Sequence, residues 1–117
     1  MNIKRLIQSF KDATRGLLYV LKHEQNFRIQ VAIGVSVLAV AWYTKVTKSE
    51  YIVLLMMIIF VLLLEILNSV LEKFIDLLRP RLHHQVAIVK DILAAMVLCA
   101  ALGAVVIGII IFLPYVY

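Results

Sequence analysis

A chain of 117 residues that is 64% hydrophobic and only 16% charged lacks the polar shell of a water-soluble domain. Its net charge of +5, from twelve Lys and Arg against seven Asp and Glu, therefore points to anionic headgroups rather than to nucleic acid. The single Cys99 excludes an internal disulfide, and in an apolar stretch its thiol reads as a small buried hydrophobe.

The first predicted element is an amphipathic helix within residues 1–27. Ile3, Leu6, Ile7, Phe10, Leu17, Leu18 and Leu21 recur at three- and four-residue steps, with Lys4, Lys11, Arg15 and Lys22 between them. That pattern suits a helix lying in the membrane surface. Mixed charges persist as far as Arg28, which does not resemble a cleavable signal peptide. Three spans are expected next, at 28–45, 50–78 and 86–117. Each is close to or above the length needed, about 20 residues for a hydrocarbon layer of roughly 30 Å. Pro80 and the basic stretch through His84 form the second connection. The expectation is an all-α membrane protein with one domain over 1–117.

Six Lys and Arg fall in the N-terminal segment through Arg28 and four between Lys73 and Lys90, while the first turn holds two, Lys45 and Lys48. The positive-inside rule then expects the N-terminus and the second loop in the cytoplasm and the C-terminus outside. Trp42, Tyr43, Tyr51, Tyr115 and Tyr117 would be interfacial anchors on the outer side. His23, His83 and His84 have no ligand spacing with a cysteine, so they read as surface residues rather than zinc ligands.

The second span departs from a plain anchor. After the apolar run from Tyr51 to Leu64 come Glu65, Asn68, Ser69, Glu72 and Asp76. At about 100° per residue these positions fall within roughly 100° of one another and make one polar stripe. With about 1.5 Å of rise per residue, Glu65 lies roughly 21 Å in from Tyr51 and Glu72 roughly 31 Å in. Ionisable groups at such depth are costly and usually face a bundle interior or a site. Glu24 with Arg28, and Lys90 with Asp91, fall at the same level. Carboxylates that can hold Mg²⁺, beside cations that offset phosphate charge, are the inventory of phosphoryl transfer. Salt-bridged helix ends would look similar, and the chain has neither a P-loop nor a kinase glycine loop.

The run Glu65-Ile-Leu-Asn68-Ser-Val-Leu-Glu72-Lys-Phe-Ile-Asp76 resembles the E-x-x-N-[ST]-x-x-E-x-x-x-D signature of the prokaryotic diacylglycerol kinase and undecaprenol kinase family. His23-Glu24-Gln25-Asn26-Phe27-Arg28, and His83 followed by Lys90-Asp91, agree with it in order along the whole chain. The resemblance implies a homotrimer of three-span subunits with a surface helix and with active sites shared between subunits. It further implies Glu65 as general base on the lipid hydroxyl with Asn68 beside the reacting groups. Glu24 and Glu72 would hold the metal ion carried by ATP, and Arg5, Arg81, Leu82, His83, Lys90 and Asp91 would contact the nucleotide. One departure stands out: where the family usually has small residues after Lys90-Asp91, this chain has Leu93 and Met96. Their bulk is expected either to narrow the groove against the second span or to loosen helix packing.

The function expected is therefore ATP- and Mg²⁺-dependent phosphorylation of a lipid hydroxyl in a bacterial cell membrane. Undecaprenol is the expected acceptor and diacylglycerol the alternative. A small transporter would want its carboxylate near the bilayer midplane with access from both sides. A scaffold would not need carboxylates and a lysine at one level on three segments.

Overall fold

The computed structural model describes residues 2–78 and 83–117. These form α1 (Ile3–His23), α2 (Gln25–Thr44), α3 (Lys48–Leu78) and α4 (His83–Val116). Three of the helices are long and apolar enough to cross a membrane: α2, α3, and α4 from His84. The described residues contain no strand.

The start of α1 and the two junctions that follow it have local causes. The side-chain oxygen of Asn2 accepts from the backbone N–H of Lys4 and Arg5 and starts α1. α1 keeps its apolar and basic faces apart and ends at His23. The first span begins at Gln25, three residues earlier than the charge pattern suggested, because a single extended residue, Glu24, is enough to break the helix.

The turn between α2 and α3 is held from both sides. Lys45 takes the left-handed conformation (φ 58°), its N–H bonds to the carbonyl of Trp42, and the N–H of Val46 bonds to that of Ala41. This is a Schellman closure, and Val46 packs against Ala41 as that motif favours. On the other side Thr47 and Glu50 form a capping box, with Glu50 N–H bonding to the Thr47 hydroxyl and Thr47 N–H to the Glu50 carboxylate. Tyr115 donates its hydroxyl to the same carboxylate and ties the end of α4 to the start of α3. Trp42 and Tyr43 are largely exposed, as boundary anchors are.

The interior is small: two clusters of buried hydrophobic residues stand out among the described residues, and Cys99, expected to be buried, is instead exposed on α4. Ala41, Leu54 and Ile111 join α2, α3 and α4 at the hairpin end. Ile75, Val86 and Leu93, with Leu71 and Met96 against them, join α3 and α4 at the opposite end. Between the clusters Gly34 lets α2 approach α3 so closely that a Cβ there would stand 2.8 Å from Cγ2 of Ile58. Where lipid replaces water, association depends on such packing rather than on a hydrophobic gain. Leu93 and Met96 fill the α3–α4 seam. Leu93 is buried there, and Met96 packs against it only in part buried.

Candidate active site at the open end of the bundle

The polar stripe of α3 separates into an inner and an outer part. Glu65 and Ser69 are buried, with 6% and 7% of their surfaces exposed. Asn68 is half-buried, and its side-chain carbonyl oxygen is enclosed without a hydrogen-bond partner. Glu72, one turn further on, is also half-buried, and Asp76 is exposed. The helical period thus leads from interior to rim along one face, as the spacing indicated.

Glu24 joins the inner group from a different element. It is the residue between α1 and α2, its N–H bonds to the Val20 carbonyl at 2.9 Å, and its own carbonyl accepts from the Arg28 N–H at 3.2 Å. Its side chain makes no capping bond to α2. Glu65 lies within electrostatic range of both Glu24 and Glu72. Glu65, Asn68 and Glu72 thus lie along one face of α3, and Glu24, at the break between α1 and α2, is near enough for its charge to be felt at Glu65.

The expected nucleotide contacts are more dispersed. Lys90 is half-buried and bonds to Asp76 at 2.8 Å, which closes the end of the α3–α4 seam. Asp91 next to it is exposed. Arg5 stands near the far tip of α1, and roughly 28 Å of helical rise separates it from Glu24. The structure does not bring it to the carboxylates within this chain. Arg81 and Leu82 lie outside the described residues, as does the side chain of His83.

Two features went unassigned in the sequence reading. The Tyr19 ring stacks on His23 at 4.2 Å, and Lys73 lies over Tyr19 at 5.2 Å, so α1 is fastened to α3 beside Glu72. The spacing of Tyr19 and His23, four residues apart on a helix, was the available signal. Arg28, expected among the phosphate-facing cations, instead gives its guanidinium to the carbonyls of Leu21 and Lys22, each at 2.8 Å.

Among the described residues no group of three His, Cys, Asp or Glu side chains is placed to hold a metal ion by itself. Magnesium makes no such demand, since it typically takes one or two carboxylates together with waters and substrate phosphates. The hard oxygen donors of Glu24 and Glu72 fit that ion, and the enclosed Asn68 oxygen shows a site with polar capacity left over.

Three apolar spans, with an acidic group near one end, are those of a multi-pass membrane protein. Residues 11–112 match the prokaryotic diacylglycerol kinase family, and the chain belongs to it. It is 36% identical over 110 residues to a diacylglycerol kinase of Synechocystis, covering 93% of this chain and 63% of that protein. It is 30% identical over 112 residues to an undecaprenol kinase of Bacillus subtilis, covering 96% and 91%. A diacylglycerol kinase of Haemophilus influenzae is 30% identical over 89 residues, or 76% of this chain and 75% of that one. The chain thus spans less than two thirds of the Synechocystis relative and most of the other two.

Proposed function

We propose that this protein is a lipid kinase that transfers the γ-phosphoryl group of ATP to the primary hydroxyl of a membrane lipid. The observation that carries the reading is Glu65, a carboxylate buried in a spanning helix, on the same face as the unsatisfied Asn68 oxygen and with Glu24 and Glu72 in electrostatic range. A structural carboxylate at that depth would be expected to have a cation for a partner. Glu65 has two like charges in range instead. In a kinase those charges would be met by the divalent cation that accompanies ATP.

Glu65 is the base that takes the proton of the attacking hydroxyl, and Asn68 orients that hydroxyl. Glu24 and Glu72 hold Mg²⁺. Bound there, the ion supplies positive charge against the phosphate oxygens. Arg5, Arg81, Leu82, His83, Lys90 and Asp91 contact the nucleotide, Lys90 by exchanging Asp76 for phosphate. Because Arg5 lies far along α1 from Glu24 in its own chain, the complete site is assembled between subunits of a homotrimer. The N-terminus and the α3–α4 connection face the cytoplasm, where ATP is found, and the C-terminus faces outside.

For the acceptor, the run from His23 to Arg28 resembles undecaprenol kinases, and the Bacillus subtilis relative carries that name. The Synechocystis and Haemophilus relatives are named for diacylglycerol, which keeps that acceptor as the second reading. Leu93 and Met96 pack into the α3–α4 seam, and that contact favours neither acceptor.

The deciding assay uses purified protein in detergent with ATP, Mg²⁺ and each lipid alcohol at matched solubility. ADP formation should depend on added alcohol, with kcat/KM higher for the polyprenol. Alcohol-independent hydrolysis or no turnover would overturn the kinase reading, and a preference for diacylglycerol would change only the acceptor.

A further inference from the structure

We propose that Arg28 is the positioning residue for Glu24, an inference that rests on the lipid-kinase reading above. A helix ends with unpaired carbonyls, and at a membrane boundary each one left unmet is expensive. α1 ends abruptly at His23 and α2 starts at Gln25, so the chain changes direction at one residue. The Val20 carbonyl is taken by the N–H of Glu24 at 2.9 Å. The carbonyls of Leu21 and Lys22 are both taken by Nη1 of Arg28, at 2.8 Å each.

Arg28 lies in the first turn of α2, so these two bonds cross the break and fix the direction in which α2 leaves α1. The Arg28 N–H also bonds back to the Glu24 carbonyl at 3.2 Å. Glu24 is thereby held by its backbone on both sides, at φ −110° and ψ 104°, while its carboxylate makes no cap bond and comes within range of Glu65. A guanidinium suits this place better than an ammonium because it offers several donors from a rigid plane. Its charge also complements the negative end of the α1 dipole. The arginine closest in sequence to Glu24 thus binds backbone where a phosphate-facing role had been expected of it.

The test combines amide hydrogen exchange over residues 20–28 with the Mg²⁺ dependence of the lipid-kinase rate. Four variants are compared: Arg28→Gln, Arg28→Lys, Glu24→Gln, and Arg28→Gln with Glu24→Gln. Arg28→Gln should speed exchange at the Glu24 and Arg28 amides at least tenfold while α3 and α4 stay protected. It should also raise the Mg²⁺ needed for half-maximal rate several-fold, and Arg28→Lys should recover part of both effects. The double variant should be no slower than Glu24→Gln alone, because a residue acting through Glu24 has nothing left to position. Native exchange in Arg28→Gln, or losses that add in the double variant, would overturn the proposal. If Glu24→Gln leaves the Mg²⁺ dependence unchanged, the metal role of Glu24 falls, while the exchange data still decide whether Arg28 closes the break. Should Arg28→Gln fail to assemble, Arg28→Met in the same exchange measurement gives the same decision.

Discussion

The carboxylate of Glu65 and the missing side chain of Gly34 show how much a single position can carry in a chain with little interior. Glu65→Gln keeps shape and hydrogen bonding but lacks the basic oxygen. We expect kcat to fall about 10²- to 10⁴-fold, the range of general-base catalysis, with nucleotide binding largely retained. Full turnover would remove Glu65 from the base role. Gly34→Ala sets a methyl 2.8 Å from Cγ2 of Ile58, a β-branched side chain with little rotamer freedom. Overpacking of this kind costs about 1–3 kcal/mol, readable as a lower midpoint of thermal unfolding in detergent. Ile58→Ala in the same chain should return part of that loss, and simple additivity would place the crowding elsewhere. Glu65 and Asn68 were legible in the sequence because polarity inside an apolar run is conspicuous. The Gly34 contact was not, since a glycine does not announce which neighbour it admits.

At the scale of helices, type and order were legible from periodicity and hydropathy, and the junctions were less so. The break at Glu24 has no Pro or Gly to mark it, and its clamp comes from Arg28, whose charge suggested a different partner. Leu93 and Met96 stood out as large residues where small ones were expected, and their partners Ile75 and Val86 came from the structure alone. Partners across an interface are set by helix rotation and separation, which composition does not encode. The left-handed Lys45 offers a direct test of the α2–α3 junction. A non-glycine residue there is strained, so Lys45→Gly should stabilise the hairpin by about 1 kcal/mol or somewhat less after the extra freedom of glycine in the unfolded chain. A decrease in the unfolding midpoint would mean that the Lys45 side chain contributes more than its backbone costs.

For the molecule as a whole, the ten-to-two division of Lys and Arg and the position of the acidic group make one joint prediction about sidedness. With Cys99 replaced by Ala, Thr47→Cys should react with an impermeant thiol reagent added to intact cells, and His84→Cys only after lysis. The opposite pattern would leave the acidic group facing away from cytoplasmic ATP. Subunit sharing has its own test. Glu65→Gln and Arg5→Ala chains, each with its rate strongly reduced, mixed and shown to co-assemble, should give more activity than the two apart if Arg5 reaches the Glu65 site of a neighbouring subunit. No recovery would confine those two groups to one subunit. Arg5 was legible as a basic residue on a surface helix, and its separation from Glu24 follows from the helical rise between them; what the sequence left open is which other elements α1 approaches.

The short link from Lys45 to Thr47 also bears on how the protein enters a membrane during synthesis. α2 is the least apolar of the three spans, and only three residues separate it from the much more apolar α3. With so little slack, the translocon receives the two helices almost as one object, and the partition of α3 into lipid draws its weaker neighbour along. Lengthening the link by about ten Gly and Ser residues, a flexible coil by composition, should let the two helices be judged separately. A reporter fused to the N-terminus would then be found on both sides of the membrane, whereas the short link should give a single population.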